Sequence, residues 1–104
     1  MGRTWRWWSF RAPARGSPAA GSGAPDAAVE ILSPSDTFSG IQEKTLDYLA
    51  GGARLVWIVD PCARTVTVCR ADETACMLLE TDTLNGEGVL SGFAIALAEL
   101  FGAI

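Results

Sequence analysis

A strand, a helix and a second strand follow one another between residues 27 and 59, and this order constrains the fold more than any other feature. Residues 27–32 predict a strand, and the uninterrupted apolar run at 55–59 is typical of a strand covered on both faces. Between them, residues 38–50 predict a helix that ends at Gly51 and Gly52. A crossover of this kind joins parallel neighbours in one sheet, so the sequence predicts an α/β fold.

The sequence around this unit predicts a helix cap, a hairpin and a closing helix. Ser35 or Asp36 is placed to cap the first turn of the helix. Residues 65–70 alternate polar and apolar side chains, which predicts a strand with one solvated face, and residues 75–80 supply its hairpin partner. From 83 to 101 the chain begins as a Gly-rich loop and ends in a short helix. The apolar face of that helix is predicted to contain Phe93, Leu97, Leu100 and Phe101.

The charge of the chain divides it near residue 25. The 104 residues carry a formal charge of -4, with 12 acidic and 8 basic side chains. Residues 1–24 contain four arginines and no Asp or Glu, so the balance of residues 25–104 is -8. The first part holds three of the four tryptophans and then becomes rich in Ala, Gly, Ser and Pro without a sustained period. We predict a flexible segment over 1–24 and an α/β domain over 25–104, which is small for burying a core of its own.

The cysteines and the absence of histidine exclude several classes of site. Cys62, Cys69 and Cys76 form no C-x-x-C pair, so the usual zinc-ligand patterns are absent. With no histidine in the chain, Ser-His and Cys-His nucleophiles are excluded. An odd cysteine count argues for free thiols in a reducing compartment. Since no stretch has the apolar length of a membrane helix or signal peptide, we expect a cytoplasmic protein with no membrane partner.

Glu30 is the most informative single residue, because a carboxylate in the middle of an apolar strand is costly to bury. Alternation along the strand puts Asp26 on the same face. Lys44 follows Ile41 by three residues and precedes Tyr48 by four, on the helix face that flanks the sheet. Carboxylates with an ammonium suit a divalent cation and phosphodiester hydrolysis. A structural ion pair between Glu30 and Lys44, or a solvated strand end, fits the same pattern.

Seven blocks of sequence carry a resemblance when they are taken in order. They are PDAAVEILSPSD at 25–36, QEK at 42–44, YLAGG at 48–52, RLVWIVDP at 54–61, TVTV at 65–68, DTL at 82–84 and VLSGF at 89–93. Together with Leu97, Leu100 and Phe101, they resemble the Uma-two family of restriction endonucleases. The resemblance implies a PD-(D/E)xK nuclease-like fold, in which helices flank a mixed sheet and DNA is cut with Mg²⁺ or Mn²⁺.

The resemblance also implies roles for individual residues. Glu30 corresponds to the metal-binding acidic residue of the central strand, and Lys44 to a catalytic lysine that has moved from that strand to the following helix. Asp26 corresponds to the family's Asp at the strand start, and we take it as a second metal ligand with a catalytic role. Such a site takes another Asp from a preceding strand, but residues 1–24 contain none. Asp26 is a poor substitute, because four strand residues separate its Cα from that of Glu30 by about 13 Å.

We therefore expect an N-terminally truncated family member with an incomplete sheet and site, nominally a metal-dependent DNA endonuclease of weak or no activity. The alternative is a non-catalytic remnant that acts as a structural or oligomeric scaffold. A homo-oligomer would cover the sheet edge that truncation exposes beside the Glu30 strand. A third hypothesis is nucleic-acid binding through the Arg and Trp side chains of 1–24. The alternative for residues 1–24 is a short extension that has no function. The acidic charge of the rest of the chain argues against DNA binding, because it would repel the phosphate backbone.

Overall fold

The structure is a computed structural model that describes the backbone of residues 7–10 and all atoms of residues 26–103. Within these ranges it contains seven strands and two helices. In chain order they are β1 (Trp7–Phe10), β2 (Ala27–Ile31), α1 (Phe38–Ala50), β3 (Leu55–Asp60), β4 (Thr65–Arg70), β5 (Ala75–Leu78), β6 (Thr83–Asn85), β7 (Ala94–Ala96) and α2 (Leu97–Ala103). None of the described helices is both long and apolar enough to cross a bilayer.

The first five strands form one mixed sheet in the order β1-β2-β3-β4-β5. Strands β2 and β3 are parallel, with Ala27 opposite Leu55, and every other neighbouring pair in this sheet is antiparallel. Strands β6 and β7 form a second, two-stranded antiparallel sheet. The parallel pair confirms the crossover prediction, because α1 carries the chain from the end of β2 back to the start of β3. The predicted α/β class, a mixed sheet with flanking helices, is confirmed.

Helix α1 has the predicted length but a different cap. The Thr37 hydroxyl accepts a hydrogen bond from the Gly40 N–H at 3.0 Å and is therefore the N-cap. The prediction of Ser35 or Asp36 was wrong, because the Asp36 carboxylate accepts from the Ser33 N–H at 2.8 Å and holds the preceding turn. At the other end Gly52 takes a φ of 114°, a conformation that glycine allows at little cost.

The main core lies on one face of the large sheet. Alternate residues of the central strands point to this face and pack against α2 and the small sheet. The buried members of this core are Ala27, Leu55, Trp57, Val59, Val66, Val68, Leu84, Leu97 and Phe101. The Trp57 ring also contacts Phe93, with 5.4 Å between the ring centroids. This face closes the domain on one side and leaves the other face to α1.

The segment predicted to be flexible contains a strand. Strand β1 pairs antiparallel with β2, and Trp7 lies opposite Glu30 in the register. For these four residues the prediction was wrong, because so short a strand has no period of its own and is stabilised by its neighbour's backbone. The expected exposed edge beside the Glu30 strand is therefore paired along β2. The other residues of 1–24 lie outside the described part of the chain.

The prediction for residues 83–101 was correct for the last helix and wrong for what precedes it. The expected loop contains β6 and β7, each only three residues long and thus too short to display an alternating pattern. Helix α2 begins at Leu97, so Phe93 lies outside it, whereas Leu97 and Phe101 are buried as predicted. The three cysteines are free thiols, as predicted.

Candidate functional site

Glu30 lies in the middle of β2 and has 0% of its surface exposed. Strand β1 pairs with β2 on one side and β3 on the other, so Glu30 sits between Trp7 and Ile58 in the register. Ile58 lines a cavity together with α1 residues and therefore faces α1. Register partners in paired strands point to the same face, so Glu30 also faces α1. Its carboxylate is therefore buried on the sheet face that carries α1.

Helix α1 packs on the sheet with a narrow buried stripe of residues along one side. Ile41 and Thr45 are its buried residues, and the Thr45 hydroxyl donates to the Ile41 carbonyl at 2.9 Å. Successive helix residues are about 100° apart, so Lys44 lies on one flank of this stripe and Gln42 and Leu46 on the other. Gln42 and Leu46 face β4 and β5, which leaves Lys44, an exposed residue, on the β2 side of the helix. The structure thus places Glu30 and Lys44 on the same side of α1.

Asp26 precedes β2 and has local partners. Its carboxylate lies 3.7 Å from the Arg54 guanidinium, and its carbonyl accepts from the Arg54 and Leu55 N–H groups at 2.8 and 3.2 Å. These contacts start the pairing between β2 and β3. The strand separates the Cα atoms of Asp26 and Glu30 by about 13 Å. The structure does not bring Asp26 and Glu30 together at one ion.

The described residues do not fit a complete site for the Mg²⁺ or Mn²⁺ that the family resemblance implies. Within residues 26–103, no three Asp, Glu or Cys side chains come together where they could hold a metal ion. A hard divalent cation needs several oxygen ligands, and Glu30 supplies one carboxylate deep in the fold. Chemistry that depends on a shared metal therefore has only part of its ligand set here.

A groove of about 1000 Å³ lies between α1 and the outer strands of the sheet. We call it the α1–β5 groove. Its wall is formed by Phe38, Ile41, Gln42, Thr45, Leu46 and Leu49, its floor by Ile58, Thr65, Thr67, Cys69, Ala75 and Met77, and its rim mainly by Asp36, Asp60, Arg70 and Glu73. The floor corresponds to the solvated face predicted for β4. The sequence did not predict the groove, because the exposure of its apolar side chains Leu46 and Met77 is seen only in the structure.

The electrostatics of the groove are set by carboxylates. Arg70 is the guanidinium on its rim, and it donates two hydrogen bonds of 2.8 Å to Glu87, which raise the pKa of Arg70. Burial raises the pKa of the Cys69 thiol on the floor, while nearby Arg70 acts weakly in the opposite direction. A raised pKa keeps this thiol protonated and unreactive at neutral pH. No nucleophilic role for Cys69 is suggested by these surroundings.

The fold resembles a solved structure that is described as a putative nuclease. The crystal structure of "a putative nuclease" from Anabaena variabilis superposes with a TM-score of 0.70 and 26% sequence identity. The match covers 76% of this chain and 45% of that chain, so the chain spans less than half the length of this relative. A search of curated proteins found no match.

A family-wide comparison extends the resemblance toward the N-terminus. The sequence model of the Uma2 family, described as "Putative restriction endonuclease", matches residues 8–98. The match includes most of β1 as well as β2, α1 and the rest of the sheet. It confirms the resemblance predicted over residues 25–101 and begins earlier in the chain. On this match, which spans most of its length, the chain belongs to the Uma2 family of restriction endonuclease-like proteins.

Proposed function

We propose that this chain is a DNA endonuclease domain that hydrolyses phosphodiesters slowly, with Glu30 and Lys44 as its functional pair. The observation that carries the proposal is the position of a carboxylate, Glu30, in the middle of an otherwise apolar strand of a sheet that matches the Uma2 family. A carboxylate buried in an apolar strand lowers stability unless it is paired, bound to a metal or protonated. The position of Lys44 on the same side of α1 supports a joint role for the two residues.

In this proposal Glu30 is a ligand of Mg²⁺ or Mn²⁺, and the Lys44 ammonium stabilises negative charge at the scissile phosphate. A divalent cation supplies Lewis-acid polarisation of a phosphoryl oxygen when it is bound. Asp26 was expected as a second ligand, but its distance along the strand and its contact with Arg54 argue against that role. The incomplete ligand set is our reason for proposing slow turnover.

The proposed partner is DNA, and the charge of the chain restricts where DNA can approach. Residues 25–104 carry a balance of -8, which repels a phosphate backbone. The four arginines of residues 1–24 are the densest positive charge in the sequence, and two of them, Arg3 and Arg6, stand among three tryptophans that can stack on bases. We propose that this part of the sequence provides the DNA contact. Replacing Arg3, Arg6, Arg11 and Arg15 together with Gln should then weaken DNA binding at low salt, and unchanged affinity would reject this role.

A second candidate is a non-catalytic scaffold in which Glu30 is a structural residue. It is favoured by the lack, within residues 26–103, of a third carboxylate or thiol close enough to complete a metal site. In this case Glu30 would contribute only to the packing between β2 and α1. The two candidates differ in one measurable property, which is metal-dependent cleavage.

The test is nicking of supercoiled plasmid by the full chain with Mg²⁺, with Mn²⁺ and with EDTA. We expect slow metal-dependent nicking that Glu30→Gln abolishes and Lys44→Ala slows by about tenfold or more. Glu43→Ala is the matched control, because Glu43 is the exposed neighbour of Lys44 on α1. Circular dichroism melting should show that every variant is folded.

Two results decide against the enzyme. Absence of nicking at high protein concentration with either metal would leave the scaffold as the function. Nicking that persists unchanged in Glu30→Gln and Lys44→Ala would identify a contaminating nuclease and reject the assigned pair.

A further inference from the structure

The α1–β5 groove has room for a second helix beside α1 on this face of the sheet. Helix α1 covers the sheet near β3, and within the described residues no second helix covers the β4–β5 half of this face. Large apolar side chains remain exposed along it, with 79% of Phe38, 63% of Leu46 and 61% of Met77 accessible. Helices that lie side by side on a sheet are about 10 Å apart, and the open floor lies directly beside α1.

The rim of this groove carries negative charge. Asp36, Asp60 and Glu73 line it together with one cation, Arg70. Both ends of the Arg70 guanidinium fork are bonded to Glu87, so its charge is largely neutralised. The surrounding domain is also acidic, with a balance of -8 over residues 25–104. A partner that approaches this face is attracted if it is positively charged and repelled if it is negatively charged.

Charge argues against the other occupants. A second copy of the chain would bring its own α1, whose outer face carries Glu43 and Asp47, against an acidic rim. DNA is disfavoured for the same reason. Residues 11–24 contain two arginines, but their apolar residues are only Ala and Pro, which cannot fill a groove this large.

We propose that the α1–β5 groove binds a basic amphipathic helix from another protein. The apolar face of that helix packs on Leu46, Phe38 and Met77, and its Lys or Arg side chains face Asp36, Asp60 and Glu73. Helix-in-groove recognition of this type combines apolar anchors at helical spacing with a charged rim. The inference rests on the groove alone and does not depend on Glu30 or on nuclease activity.

The test uses a fluorescent amphipathic peptide of about 15 residues made of Leu and Lys, titrated with the full chain by fluorescence anisotropy. Leu46→Lys places a charge inside the groove, and Ala50→Lys places the same charge on the outer face of the same helix. We expect Leu46→Lys to weaken binding by about tenfold and Ala50→Lys to leave it within about twofold. A peptide of the same pattern made of Leu and Glu should bind at least tenfold more weakly than the Leu/Lys peptide, because the acidic rim repels it.

Three outcomes overturn the proposal. The first is that the Leu46→Lys and Ala50→Lys variants bind the Leu/Lys peptide equally well. The second is that the unsubstituted chain binds the Leu/Glu peptide as tightly as the Leu/Lys peptide. The third is a dimer of the full chain in light scattering that Leu46→Lys converts to a monomer, which would assign this face to a second copy. If Leu46→Lys fails to fold, Met77→Lys on β5 serves as the groove variant, since Met77 is exposed on the groove floor.

Discussion

The two faces of the large sheet are built from the same strands but differ in what they bury. On the packed face, apolar residues of β2, β3 and β4 meet α2, and Leu55, Leu97 and Phe101 have at most 5% of their surface exposed. The other face holds a buried carboxylate, Glu30, and leaves the floor near β5 open beside α1. The packed face holds the fold together, and the α1 face carries the candidate chemistry and the candidate docking surface.

The difference shows that burial has two meanings in this domain. Leu97 and Glu30 are both 0% exposed, yet only the burial of Leu97 lowers the free energy of the folded state through apolar contact. The burial of Glu30 opposes folding unless its charge is compensated, so the apolar core must stabilise the site. Predictions that compare the two faces therefore test both the fold and the function.

The largest effect should come from removing an apolar side chain on the packed face. Leu97→Ala leaves a cavity at the start of α2, and we expect it to lower the free energy of unfolding by about 3 kcal/mol in urea. Leu46→Ala is the matched change on the other face, where the side chain is 63% exposed, and should cost less than about 0.5 kcal/mol. Equal losses would contradict the distinction between the faces.

A smaller effect should follow from weakening the helix that defines the second face. Thr37→Ala removes the hydroxyl that accepts from the Gly40 N–H, and we expect a loss of about 1 kcal/mol in thermal or urea unfolding. Thr37→Ser keeps an oxygen at this position and should remain close to the unsubstituted chain. If both variants lose the same stability, the N-cap assignment is wrong.

The three thiols differ in how far they are buried, and Cys69 lies on the floor of the α1–β5 groove. Burial raises the pKa of Cys69, so less thiolate is present at neutral pH, and its alkylation by iodoacetamide should be severalfold slower than that of exposed Cys62 and Cys76. The rate at Cys69 should increase as the pH rises toward its raised pKa. Mass spectrometry of the modified peptides measures each rate, and unfolding in urea should make the three rates similar. Fast modification of Cys69 in the folded protein would contradict its partial burial.

The smallest effect concerns the ion pair that joins the end of β4 to the loop between β6 and β7. Glu87→Gln removes the charge that pairs with Arg70, and we expect a loss of about 0.5 kcal/mol at low salt. High salt should reduce this difference, because ions screen partly exposed pairs. Glu43→Gln, which removes a charge from the exposed side of α1, provides the control in the same unfolding experiment. A loss that does not change with salt would argue against an electrostatic origin.

Much of the fold could be predicted because its longer elements have clear periods. The alternation of β4, the apolar run of β3 and the glycines that follow α1 each specify one local structure. Strands β1, β6 and β7 contain three or four residues, and pairing rather than pattern determines them. The helix cap was missed because three neighbouring residues, Ser35, Asp36 and Thr37, all have suitable side chains.

The candidate site could be predicted only in part. The position of Glu30 on an apolar strand indicated a carboxylate that would be costly to bury, but it left a solvated strand end open, and burial became clear only from the structure. The partner of Asp26 could not be read from the sequence, since Arg54 comes beside it only when β2 and β3 pair. The groove could not be predicted either, because its open floor exists only where no described helix packs on β4 and β5.

The mixed pairing of the sheet has a kinetic consequence. Short turns connect β3 to β4 and β4 to β5, whereas β2 reaches β3 only after residues 32–54 have formed the crossover. Local contacts form early in folding, so the β3–β4–β5 meander is the expected nucleus and β2 joins it later. Pulse-labelled hydrogen exchange during refolding should then show that amides of β4 become protected before those of β2. A substitution at Glu30 would accordingly change the unfolding rate more than the folding rate, which separates its effect from that of the meander.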